Sequence, residues 1–229
     1  MDLTIAFRYL PEFLHGLWLT TLLSVEVILV GTLVGVVFVP PRISSQWSLR
    51  WGAWVLINPF RILPVMVLLV WGFYSFSIVF GIRLSAWWVA VLALGLNMGA
   101  FCAEIFRKAV EEVPFEHVES AQLLGFSRVA VWRRVILPLA FKNLSIPYLN
   151  QVLQTVKLTV LAAIISVREI YHTTSDIIQQ TNKPVEMYTM LALVLFIPLL
   201  LVTLVVEWAE YRLRHGEKTR KWYWIGGSR

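Results

Sequence analysis

Along the chain, long apolar runs alternate with short polar and basic segments, a pattern set by the thickness of a membrane rather than by the faces of a globular core. A bilayer core of ~30 Å takes ~20 apolar helical residues to cross. Five runs approach or exceed that length, at about 17–39, 54–80, 86–108, 143–166 and 187–211. The third and fourth are separated by a polar stretch, 109–142, too long to be a simple turn. Within it Pro114 can open a helix, because its missing N–H falls among donors that have no helical partner anyway. Val118, Ala121, Gln122 and Gly125 follow at helical spacing. Gly125 breaks or bends that helix, Ser127 can cap a second one carrying Val131, Val135 and Ile136 on one face, and Pro138 is expected to end it. The pattern predicts a short helix–turn–helix with Arg128, Arg133 and Arg134 on its polar side.

Composition turns this pattern into a class. Hydrophobic residues make up 58% of 229 positions and the mean hydropathy is +0.70, so the chain reads as an all-α integral membrane protein. The first run lacks a small-residue cleavage site after a short apolar core and reads as a retained helix rather than a signal peptide. Eleven tryptophans suit two water–lipid interfaces. The single cysteine, Cys102, excludes an internal disulfide and lies in an apolar run.

The net charge of +6 does not call for nucleic acid, because topology accounts for it. With the N-terminus outside, four Lys and Arg residues fall on external segments and fifteen on internal ones, a bias that orients the chain N-terminus out and C-terminus in. The 109–142 loop and a basic tail at 214–229 are then cytoplasmic. One reading of the loop is an interfacial helix whose arginines hold anionic lipid headgroups; the other is a dock for a protein.

Polar residues inside the spans are the candidate chemistry, since an ionisable group at depth is costly and usually functional. Asn97 and Glu104 are seven apart on the third span and share a face. Glu104 either accepts a solute ammonium group or pairs with Arg107 at i+3. Lys157 either meets a solute carboxylate, pairs with an acid on another span, or snorkels to an interface. Glu26, in the first span, is expected to face protein. Gly31-x-x-x-Gly35 and Gly95-x-x-x-Gly99 allow close helix approach. Catalytic motifs are missing: there is no Walker A glycine loop and no HExxH, and the four histidines lack metal-ligand spacing.

Several ordered motifs carry a family resemblance. Glu119-Ser120-Ala121-x-x-Leu124-Gly125, followed by Ile136-Leu137-Pro138, resembles the EAA loop of ATP-binding-cassette importer permeases. Gly99-Ala100-Phe101-x-Ala103-Glu104-Ile105-x-Arg107, Phe60-Arg61-x-x-Pro64 and Lys157-x-Thr159-x-Leu161 resemble segments of the polar-amino-acid permeases. The resemblance runs from about residue 10 to 213. It implies a type I importer transmembrane domain over 1–213, with five transmembrane helices, in the bacterial inner membrane. By that resemblance Glu119, Ala121, Gly125 and Pro138 belong to a coupling loop that inserts into a cytoplasmic ATPase dimer. Asn97, Glu104, Lys157 and Thr159 are its candidate pathway residues.

The implied partners are that ATPase dimer, a second permease (identical or not), an extracytoplasmic solute-binding protein meeting the loops near 81–86 and 167–186, and membrane lipid. No cofactor is expected on this chain, ATP and Mg being held by the ATPase. Two positions depart from the family pattern. Glu116-His117 stands where Gly-Gln is usual, and Leu158 replaces an aspartate that follows the lysine in many relatives. The second departure leaves open a regulatory or signalling membrane subunit that kept the dock and lost the pathway.

Overall fold

A computed structural model of the protein describes residues 3–81 and 83–225, and every regular element among them is helical. In chain order these are α1 (Leu3–Arg8), α2 (Leu10–Ile43), α3 (Trp47–Ile62) and α4 (Val65–Val70), the last continued by a π turn, Trp71–Ser75, into α5 (Phe76–Phe80). Next come α6 (Ala86–Glu111), α7 (Phe115–Leu123) and α8 (Arg128–Val131), then a second π turn, Trp132–Ile136, leading into α9 (Leu137–Leu158). A 3-10 segment, Thr159–Ile165, extends α9, and α10 (Ile170–Thr181) and α11 (Pro184–Ile225) complete the chain. The expected basic tail continues α11 as far as Ile225, and 226–229 lie outside the described residues.

Four helical stretches are long and apolar enough to cross a membrane: Leu10–Ile43, Ala86–Glu111, Arg128–Ile165 and Pro184–Arg212. The run expected at 54–80 is not one helix. Helix α3 and the Val65–Ser75 segment meet at 103°. Proline sterics explain the elbow, because a residue before proline is pushed out of the helical region. Leu63 has ψ 138° and Pro64 has ψ 135°, so two extended residues in succession turn the chain.

The α2–α6 pair is the spine of the fold, and its two glycine pairs interlock. A Cβ at Gly31 would lie 2.8 Å from Met98, one at Gly35 2.5 Å from Cys102, and one at Gly99 2.5 Å from Val34. Only glycine allows backbones this close. Around the spine, one apolar cluster joins Leu23 and Val27 of α2 to Leu69, Leu94 and Ile165. A second joins Phe13 to Ile170, Ile177, Met187 and Met190, closing α10 and α11 over the start of α2.

Pro138 does not end a helix as the sequence suggests. Its ring clashes with the carbonyl four residues back and it donates no N–H. The π turn immediately before it widens the hydrogen-bond ladder, and the helical path continues from Arg128 to Ile165.

Candidate functional site

Between Glu111 and Leu139 the chain forms a small helical loop with almost no interior: only Ala121 and Val131 are buried. Helix α7 starts at Pro114, which acts as its N-cap. At its other end Phe126 N–H bonds the Ala121 carbonyl at 3.1 Å and Gly125 N–H bonds the Gln122 carbonyl at 2.9 Å. That pair of bonds is the Schellman closure, which needs a left-handed residue at Gly125; its φ is 81°. Ser127 then caps α8, its Oγ accepting from Ala130 N–H at 3.3 Å.

Ala121 is small and buried where α7 packs against α8 and the π turn. Glu119 is exposed on α7, flanked by large apolar side chains: Phe115, Leu123, Leu124 and Val129 are 72–83% exposed. An apolar patch outside the hydrocarbon region, with acids beside it, has the character of an uncovered interface.

Within the spans the polar candidates separate into two groups. Asn97 is 4% exposed, and its Nδ2 donates to the Phe60 carbonyl at 2.6 Å. The reason lies four residues after Phe60: Pro64 has no N–H, so that carbonyl loses its helical donor and Asn97 replaces it.

Glu104 is equally committed. Oε2 accepts from Arg42 Nη2 at 2.8 Å and lies 4.0 Å from Arg61 Nη1, while Oε1 accepts from Arg107. Arg107 also pairs with Glu111, and Arg61 stacks over the Phe101 ring. Thr159 is fully buried, donating to the Val156 carbonyl at 2.7 Å with Ser24 Oγ at 3.3 Å.

Lys157 belongs to the other group. It is exposed on α9, on one face with exposed Gln154 and Asn150 at helical spacing, and it makes no ion pair among the described residues. Its neighbour Leu158 packs on the cluster that holds Leu94, near the middle of α6. Glu26 accepts from the Trp87 indole N–H at 2.7 Å, so it does face protein.

Two features had little sequence signal. The Arg42 and Arg61 partners of Glu104 come from helices remote in sequence, whereas Arg107 lies at i+3 on the same helix and is one of the two partners its spacing offers. Glu169 is fully buried outside the spans, where it caps α10 by accepting from His172 N–H at 2.8 Å. Burial pushes its carboxyl up to about 7, against the lowering effect of backbone donors at Tyr171, His172 and Ile170. Its position before an amphipathic segment was the available clue.

Taken together, helices long and apolar enough to cross a membrane, a broken span, an exposed lysine on α9 and an uncovered helical loop define a membrane domain with surfaces left open among the described residues. The chain matches the model for the binding-protein-dependent transport system inner membrane component over residues 3–215 and belongs to that family.

It is 35% identical to the octopine transport system permease protein OccM of Rhizobium meliloti, over 76% of this chain and 75% of that one. It is 33% identical to the histidine/lysine/arginine/ornithine transport system permease protein HisM of Salmonella typhimurium, over 74% and 76%. Among solved structures, an amino acid ABC transporter superposes with a TM-score of 0.86 at 26% identity, covering 93% of this chain and 99% of that one. A MetNI methionine ABC transporter chain shares the fold, with a TM-score of 0.72 at 20% identity over 90% and 98%. The chain is a permease subunit of a binding-protein-dependent importer in the inner membrane, and ATP hydrolysis occurs on a separate subunit.

Proposed function

We propose that this permease imports an amino acid or a similar small polar solute. The observation that carries the reading is the Asn150, Gln154 and Lys157 stripe on α9. An unpaired lysine at mid-depth is too costly to leave against lipid, so this face lines a passage closed by a second permease. Lys157 meets the solute carboxylate there, while Asn97, Glu104 and Thr159 hold the surrounding helices in place. Relatives named for octopine and for histidine, lysine, arginine and ornithine, all amino acids or their derivatives, support the solute class.

The loop drives this passage. Its uncovered apolar residues and Glu119 dock on an ATPase dimer that holds ATP and Mg, with Ala121 and Gly125 keeping the loop's shape and Pro138 seated in the rod behind it. The N-terminus lies outside, and a solute-binding protein delivers cargo near 81–86 and 167–186. Ile82 lies outside the described residues.

Proteoliposomes holding the permease pair, ATPase and binding protein test both halves. Lys157→Gln is expected to raise the solute KM about 10-fold or more, the scale of a lost charged hydrogen bond, with basal ATPase unchanged. Glu119→Ala is expected to preserve the purified permease and lower uptake per ATP. Unchanged uptake in both variants overturns the reading.

A further inference from the structure

The three arginines on Glu104 come from different parts of the chain. Arg42 is near the end of α2, Arg61 is near the end of α3, and Arg107 lies one turn further along α6. Removing this carboxylate would leave the buried Arg42 guanidinium without its acid, while Arg107 keeps Glu111. Two turns along α6, Asn97 fastens Phe60 of α3 a second time. Ile57 adds an apolar contact with Ala100 and Ala103 between these two fastenings. Helix α3 therefore meets α6 at two levels: at one through the Asn97 hydrogen bond, and at the other through Arg61, 4.0 Å from Glu104 and over the Phe101 ring of α6, with Arg42 also joining Glu104 to the Arg50 carbonyl of α3 at 3.4 Å.

The other half of the broken span is held differently. Leu68 and Leu69 of α4 are buried, and Leu69 packs with Val89, Ala90 and Leu94 in an apolar cluster. Packed apolar surfaces can slide by small steps, which directional ion pairs resist. No helical hydrogen bond crosses the Leu63–Pro64 junction. On the opposite side, α6 passes through Arg107 and Glu111 directly into the 111–139 loop.

We propose that Glu104 is a positioning residue for energy coupling: it locks α3 to the helix that feeds the loop, so that loop movement reaches the Leu63–Pro64 elbow as the motion of one body. This rests on the coupling role proposed above for the loop. Glu104 then acts on transport without touching the solute.

Pulsed electron spin resonance on the assembled transporter tests the geometry, comparing nucleotide-free and ATP-trapped states. Labels at Leu49 on α3 and Glu112 at the end of α6 are expected to keep one distance in both states. Labels at Ile78 on α5 and Glu112 are expected to shift. Glu104→Gln should broaden the first distance and lower uptake per ATP about fivefold or more, within the range of known coupling energies, at unchanged solute KM. Arg61→Gln removes the 4.0 Å contact and the stacking over Phe101 but leaves Arg42 and Arg107 on Glu104; it should show a smaller effect of the same kind, which decides the matter should Glu104→Gln fail to assemble.

A first distance that changes between states in the wild type, or unchanged uptake per ATP in the variants, overturns the proposal. A raised KM alone would make Glu104 a solute ligand and also overturn it. Glu119→Ala measured alongside separates the two levels. If it uncouples while the Glu104 variant does not, only the clamp falls; if it fails to uncouple, the loop reading falls.

Discussion

The α2–α6 seam and the 111–139 loop both depend on glycine, and they use it for opposite properties. In the seam a Cβ at Gly35 or Gly99 would come within 2.5 Å of the facing helix, so the missing side chain is what matters. At Gly125 nothing lies within 4 Å of an added Cβ; there the φ of 81° is what matters. The seam is finished within the chain, with Met98 and Cys102 fully buried. The loop is shaped by backbone bonds and leaves its apolar side chains exposed. Interior closeness serves permanence, and local backbone order holds a surface open.

The sharpest way to break this comparison is Gly35→Leu, which puts four carbons where 2.5 Å is free. Overpacking of this kind costs ~3 kcal/mol or more, and detergent-extracted protein should lose its monodisperse peak in size-exclusion chromatography. A normal peak would mean that the seam is looser than described.

Glu169 probes a buried group outside the spans. Its carboxyl titrates at about 7 when folded against 4.5 as a free group, so folding favours the protonated form. That stability is fully present below about 4.5 and is lost as pH rises towards about 7, of the order of 3 kcal/mol across the window. Glu169→Gln keeps an acceptor for His172 N–H. It should melt like the wild type at pH 4.5 and several degrees higher at pH 8.

Asn97→Leu comes next. It leaves the Phe60 carbonyl without a donor, at ~1–3 kcal/mol, and a lower melting temperature should accompany faster proteolysis around the elbow. The smallest effect belongs to Gly125→Ala, ~1 kcal/mol for a left-handed alanine. It should spare the monodisperse peak that Gly35→Leu abolishes, and equal damage from the two would erase the distinction between the regions.

What could be read from the sequence follows the range of the interactions. Apolar length and helical spacing are local, so the helical class and the turn at Gly125 with its cap at Ser127 are legible. Glu104 with Arg107 is legible for the same reason, three residues apart on one helix. Its bonds to Arg42 and Arg61 are not, because they depend on how helices pack. The elbow shows the limit clearly. Arg61 and Pro64 interrupt a run that is otherwise apolar and long enough for one span, and the partner that makes the break tolerable, Asn97, is on another helix. Leu158 is similar: as a missing acid it suggested a lost contact, and in the fold its side chain packs into an apolar cluster.

The π turn at Trp132–Ile136 adds one further consequence. The path from Arg128 to Ile165 behaves as a single rod of roughly 55 Å at ~1.5 Å per residue, with the arginines near one end and Lys157 near the other. A π turn inserts a residue into the ladder, and each residue turns an α-helix by about 100°. The wider turn takes up that residue locally, so the two ends keep the angular phase they would have in an uninterrupted helix one residue shorter. Deleting one residue within 132–136 would let the ladder close as an ordinary α-helix with the two ends still in phase, whereas deleting one elsewhere in the rod would rotate one end against the other by about 100°.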